Sequence, residues 1–236
     1  MTWDARDFLM GCADRTAPLY RGPVQLTKLG HSCVRLEKDG AALVIDPGTF
    51  TDAPAALNFA TAVMVTHEHP DHLDAEAVGE ALFSDPGLTL WATPAVAGQF
   101  NDFGDRVHQV RHGDALAIAG FDVHVYGEKH ALIHREIPLV ENTGFMVDGS
   151  LFHPGDSFTV PEDPVETLLL PISAPWLKAG EMIDYFRAVA PARGYAIHDA
   201  ILNDTGLALM TRMMSVAAAP SGAPVTRLEP GTTLEL

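Results

Sequence analysis

The sequence predicts an α/β (α+β) protein built as a four-layer αββα sandwich, with two β-rich halves packed sheet on sheet and helices outside. Three observations point there. Each half carries an Asp-Gly hairpin that ends in a proline-glycine turn bearing an acid, "VIDPG" in the first and "FHPGDS" in the second. Each of those turns is followed by an apolar strand, a loop, a helix and a further strand. No linker-like stretch divides the halves, and their self-similarity has no short period, so it does not indicate a solenoid. Residues 23–236 are expected to form a single domain, preceded by an irregular or partly helical extension over residues 1–22.

The elements follow from local pattern. "VQLTKLGHSCVRLEKDGAALVIDPG" reads as strand, hairpin, strand with Asp39-Gly40 as the tight turn. "ATAVMV" is a short buried strand, and "DHLDAEAVGEALF" a helix with Leu73, Ala77, Ala81 and Leu82 on one face. "LTLWAT" is another strand and "VAGQFNDFG" a short helix. In "DALAIAGFDVHVYG" two strands meet at Gly120, with Phe121, Val123 and Val125 on one face and His124 and Tyr126 on the other. "NTGFMVDGSLFHPGDS" turns at Asp148-Gly149. "TLLLPIS" is a buried strand, "AGEMIDYFRAVA" an amphipathic helix, "RGYAIHDA" a strand and "GLALMTRMMSVAA" the closing helix.

Composition narrows the function. With 236 residues, 47% hydrophobic and 19% charged, the chain is globular and long enough to bury a core. Its 31 acids against 15 Lys and Arg give a net charge of −16. That field repels phosphate backbones and anionic membranes, so nucleic acid and membrane are poor partners and a small molecule is expected. A small anion stays open, because a bound metal reverses the local sign. A homo-oligomer is also open. Cys12 and Cys33 cannot build a disulfide framework, and Cys33 reads as a buried free thiol. "LMGC" lacks the basic start and apolar stretch of a lipoprotein leader, and no run nears the ~20 apolar residues of a membrane span. A cytoplasmic location is expected.

The chemistry concentrates in "VMVTHEHPDHLD", residues 63–74. His67 and His69, two apart on an extended or turning backbone, project to one side and can reach one ion. Asp71 and His72 sit one step on, at the expected N-terminus of a helix, and can reach a second. Imidazole and carboxylate suit a borderline divalent ion such as zinc, manganese or iron.

"HEHPDH" meets in full the His-x-His-x-Asp-His signature of the metallo-β-lactamase superfamily, which the chain resembles from about residue 24 to 200. The resemblance implies the same αββα sandwich with a dinuclear site at one edge of the sheets. It implies further ligands at His130 after "FDVHVYGEKH", Asp156 in "FHPGDS" and His198 in "YAIHD". By that carry-over His67, His69 and His130 hold one ion, Asp71, His72 and His198 the other, and Asp156 bridges. Asp46 in "VIDPG" would orient ligands from behind. "LTKLGHSCVRLE", "VIDPG" and "HPGDS" are similar to the ascorbate-6-phosphate lactonase-like, UPF0173-type metal-dependent hydrolase branch. The chain departs from the commonest form of that branch in "GEKHALIHREIP", "APWLK" and the N-terminal extension, which surround the expected pocket, so the substrate does not carry over.

Other residues carry alternatives. His134 is the rival to His130. His31 in "LGHSC" is either near the site or a satisfied core histidine. Trp176 in "SAPWLK" either walls an apolar substrate or plugs the core. Lys178 reads as solvated, His153 as support for a strand end, and His108, His112 and His124 as surface or packing residues. The expected function is a binuclear metal-dependent hydrolase in which two divalent ions, zinc or manganese first, present a bridging hydroxide to a small ester, lactone or phosphorylated metabolite. Asp71 would orient the nucleophile and shuttle its proton. The rivals are a mononuclear iron redox enzyme and a non-catalytic metal-binding protein.

Overall fold

The computed structural model describes residues 22–236; the readings of the N-terminal extension and of Cys12 fall on 1–21, outside the described residues. The strands are β1 Gln25–Gly30, β2 Cys33–Lys38, β3 Ala41–Ile45, β4 Ala62–Val65, β5 Thr89–Ala92, β6 Val107–Gln109, β7 Ala115–Ile118, β8 Phe121–Tyr126, β9 Gly144–Val147, β10 Leu151–His153, β11 Thr167–Pro171, β12 Arg193–Ile197, β13 Val225–Thr226 and β14 Thr233–Glu235. The helices are α1 Ala53–Leu57, α2 Ala75–Ser84, α3 Pro94–Ala97, α4 Ala179–Val189 and α5 Asp204–Ala218.

The strands form two seven-stranded mixed sheets, ordered β14-β1-β2-β3-β4-β5-β6 and β13-β12-β11-β10-β9-β8-β7. The similarity of the halves is topological. In the first sheet β1, β2 and β3 pair antiparallel and β3 through β6 parallel. In the second, β8, β9 and β10 pair antiparallel and β10 through β13 parallel. The hairpins turn at the expected places: Asp39 and Gly40 have φ of 52° and 82°, Asp148 and Gly149 of 49° and 64°, the left-handed pair that a two-residue turn requires.

Period-two alternation sorts each strand's residues between layers. Met64, Phe121, Val123, Val125, Phe145, Leu169 and Ile197 fill the space between the sheets. Val63 and Val65, with Val78 and Leu82 of α2, fill the space outside the first sheet. Leu168 and Leu170, with Met182, Phe186 and Met214 of α4 and α5, fill the space outside the second. Three apolar interfaces make four layers, the αββα sandwich. Cys33 is a buried free thiol, as expected.

The structure corrects several local expectations. α2 begins at Ala75 with Asp74 as its cap, so Asp71 and His72 lie in a turn before the helix. "VAGQFNDFG" splits between α3 and a 3-10 stretch over 98–106 that is broken at Phe100 and Gly104. The helix over 204–218 does not close the chain: β13 then joins the second sheet and β14 returns to pair with β1 in the first. β6, β13 and β14 have only two or three residues each, too few to show a period. Among the described residues no helix is long and apolar enough to cross a membrane.

Candidate metal centre

The candidate site lies at the carboxyl ends of the parallel strands, where open sheets place their ligands. Asp46 follows β3, His67 to His72 follow β4, Asp156 follows β10 and His198 follows β12. Asp46 and His198 take left-handed backbone, with φ of 54° and 58°, which bends each side chain off its strand end. The turn after β4 closes on itself through His72 N–H and Leu73 N–H, both donating to His69 O. It is stitched to the loop after β3 by Thr49 N–H to Pro70 O at 2.8 Å and Asp74 N–H to Pro47 O at 2.9 Å.

The structure brings together every expected ligand. His67, His69 and His130 form one group of converging donor atoms, and Asp71, His72 and His198 with His31 form a second. A third group, of His67, His72 and Asp156, lies between them. Asp46 stands behind. Its Oδ1 accepts Thr66 N–H, and its Oδ2 accepts the Thr66 hydroxyl at 2.8 Å and His72 Nδ1–H at 2.6 Å. The Thr66 hydroxyl proton is thus committed, so its oxygen accepts from His67 Nδ1–H at 3.0 Å. His130 Nδ1–H donates to Ala131 O and His198 Nδ1–H to Ser173 O, each at 2.5 Å. Four rings therefore hold a proton on Nδ1 and aim Nε2 inward.

This donor set fits divalent metal. Nε2 of His72, Nε2 of His130 and Oδ1 of Asp156 are buried with no hydrogen-bond partner among the described residues. His72 Nε2 and Asp156 Oδ1 lie 3.0 Å apart without a hydrogen bond's alignment. Buried polar atoms left so are costly, and a cation between them removes the cost.

The titration behaviour agrees. Burial works to raise the Asp71 carboxyl, but hydrogen bonds from His198 and His31 overcome it and hold the group well below the usual carboxylate range. Burial, aided by His72, drives His67 well below its ordinary value, and burial lowers His69 too. For His198 burial works against the charge, yet hydrogen bonds to Asp156 and Asp71 raise it to about 9. His72 is likewise raised against burial, by Asp156 and Asp46. In metal-free protein these two rings hold protons that an ion must displace. Metal affinity should therefore climb as pH rises from about 6.5 to about 9. Calorimetric titration with zinc at several pH values reads this directly, and an affinity flat across that window would contradict it.

Residues 25–198 match the family described as Beta-lactamase superfamily domain. The chain belongs to the metallo-β-lactamase superfamily. Among relatives of this superfamily member, Protein Rv0786c of Mycobacterium tuberculosis is 41% identical over 184 residues, covering 76% of this chain and 85% of that protein. A UPF0173 metal-dependent hydrolase of Sulfurisphaera tokodaii is 30% identical over 146 residues, covering 56% of this chain and 61% of that one. The solved structure of Igni18, a metallo hydrolase from the archaeon Ignicoccus hospitalis, shares the fold at a TM-score of 0.68 and 19% identity, covering 91% of this chain and 99% of that one. Family and ligand groups together class the protein as a metal-dependent hydrolase.

The superfamily signature does not account for everything at the centre. Trp176 is buried beside the rings of His130 and His198, and its Nε1–H donates to Asp156 Oδ2 at 2.8 Å. Asn142, fully buried, accepts Asp156 N–H at 3.0 Å. These contacts cross between loops far apart in the chain, and no local pattern announces them. His134 is exposed, accepts Glu136 N–H, and lies outside the ligand groups, so of the two rivals only His130 reaches the centre. His153 Nε2–H donates to Ser32 O, supporting the strand end as expected. His108 stacks on Trp91 at 3.9 Å and His124 is exposed.

Proposed function

We propose that this protein is a binuclear metal-dependent hydrolase of a small ester, lactone or phosphorylated metabolite. One observation carries the reading: two groups of ligand atoms lie side by side with the carboxylate of Asp156 between them. His67, His69 and His130 would hold one ion, Asp71, His72 and His198 the other, and Asp156 would touch both. Bound there, zinc or manganese, with iron as a further fit, supplies Lewis acidity and a hydroxide nucleophile at neutral pH. The complete second group argues against the mononuclear iron alternative.

The chain's own residues do the rest. Asp71 is the ligand carboxylate open to solvent, with its side chain 22% exposed against 4% for Asp156. Held ionised by its neighbours, it is the group placed to orient the nucleophile and take its proton. Asp46 and Thr66 keep the lone pairs of His72 and His67 turned inward. The proposal takes residues 23–236 as one catalytic domain acting on a small molecule in the cytoplasm, with the acidic surface disfavouring nucleic acid.

Metal analysis and a hydrolysis screen of lactones, esters and phosphodiesters test it. We expect close to two ions per chain, turnover abolished by chelation, and recovery on adding metal back. Turnover that survives thorough metal removal would reject the mechanism.

A further inference from the structure

His31 is grouped with Asp71, His72 and His198, yet its hydrogen bonds run the other way from those of the other rings. In His67, His72, His130 and His198 the Nδ1 proton is given to an oxygen, which turns Nε2 towards the centre as the nitrogen open to an ion once any second proton is lost. His31 Nδ1 instead accepts the Ala200 N–H at 3.3 Å. An amide donor on Nδ1 puts the proton of the neutral ring on Nε2, and that nitrogen lies 3.2 Å from Asp71 Oδ2. A protonated Nε2 is a donor and has no lone pair for a metal.

The same residue grips the other half of the molecule. It sits in the turn between β1 and β2, on left-handed backbone with φ of 37°. Its carbonyl accepts His198 N–H at 3.1 Å, and its ring lies 4.0 Å from the His198 ring, centroid to centroid. Asp71 comes from the first sheet's loops, while His198 and Ala200 come from the second's.

We infer that His31 is a positioning residue rather than a ligand: it donates Nε2–H to Asp71 while bonded to Ala200 and His198, and so assembles the Asp71–His72–His198 half of the centre. The inference rests on the proposed reading of those three residues as ligands of one ion.

Metal-free protein titrated with cobalt(II), followed by visible absorption, separates the two claims. Wild type should take two equivalents; uptake of only one would overturn the ligand reading itself. His31→Asn tests the inference. Its amide reaches the Nδ1 position, accepts Ala200 N–H and tolerates the left-handed backbone, but stops short of Asp71. The second equivalent should bind at least about tenfold more weakly, with the first unchanged. His31→Gln, whose amide nitrogen reaches the Nε2 position, should restore the second equivalent to within about threefold of wild type, well inside that tenfold loss.

Three results would overturn the inference. Asn and Gln variants equally weak at the second equivalent would make the imidazole a ligand. Both equivalents weakened alike would make its role one of general packing. An Asn variant indistinguishable from wild type would remove any role at all.

Discussion

A Gly48→Ala variant is expected to lose bound metal and at least about 100-fold in hydrolytic turnover, because displacing catalytic groups by about 1 Å already costs that much. A Cβ at residue 48 would stand 2.0 Å from Asp71 O, 2.1 Å from Asp71 C and 2.5 Å from His72 N. All three are backbone atoms of the ligand turn, so no flexible side chain can swing aside. The flanking bonds from Thr49 to Pro70 and from Asp74 to Pro47 clamp the two loops together and block a local retreat. The methyl must therefore push Asp71 and His72 out of place. Gly180→Ala is the matched control. Its Cβ meets nothing within 4 Å and it lies inside α4, so metal content and turnover should be preserved. A Gly48→Ala protein with full metal and normal turnover would show that this close approach does not position the ligands.

The largest stability effect is expected at Lys28. The side chain is buried in β1, with its Nζ 2.7 Å from Asp199 Oδ1 and 2.9 Å from Ala196 O. Arg227 Nε holds the other Asp199 oxygen at 2.7 Å. Burial lowers the Lys28 pKa, with Asp199 opposing that fall. Lys28→Met would leave a buried carboxylate short of one cation, a loss of about 3–5 kcal/mol in denaturant unfolding of the metal-free protein. Lys28→Met combined with Asp199→Leu should recover much of it, since both buried charges are then gone. A single variant losing under about 1 kcal/mol would put the pair in the class of weak surface bridges. Lys28 ties the first sheet to the segment that carries His198, so metal affinity should fall alongside stability.

The candidate ligand run was legible because its chemistry is local. His67, His69, Asp71 and His72 fall within one short turn, and both their residue types and their spacing point to metal. Both Asp-Gly hairpins, the buried apolar runs of β4 and β11 and the alternation in β8 were legible for the same reason, as each is set by a few neighbouring residues. Mispredictions fell where local signal is weak: strands of two or three residues, and a helix start displaced because the His69 carbonyl closes a turn first.

By itself, then, the sequence determined the four-layer class, the strand-ending acids and histidines, and the family to which they belong. It left His31, Trp176, His134 and Gly48 undecided or unremarked. For His31, Trp176 and Gly48 the structure supplies contacts between residues far apart in the chain: Ala200 N–H on His31, Asp156 Oδ2 on the Trp176 indole, and the Asp71 backbone on Gly48. A ring nitrogen's proton follows its hydrogen-bond partner, and that partner is supplied by whichever loop the packed sheets bring alongside. The ligand types are therefore written in the chain, whereas their protons, orientations and clearances belong to the tertiary structure.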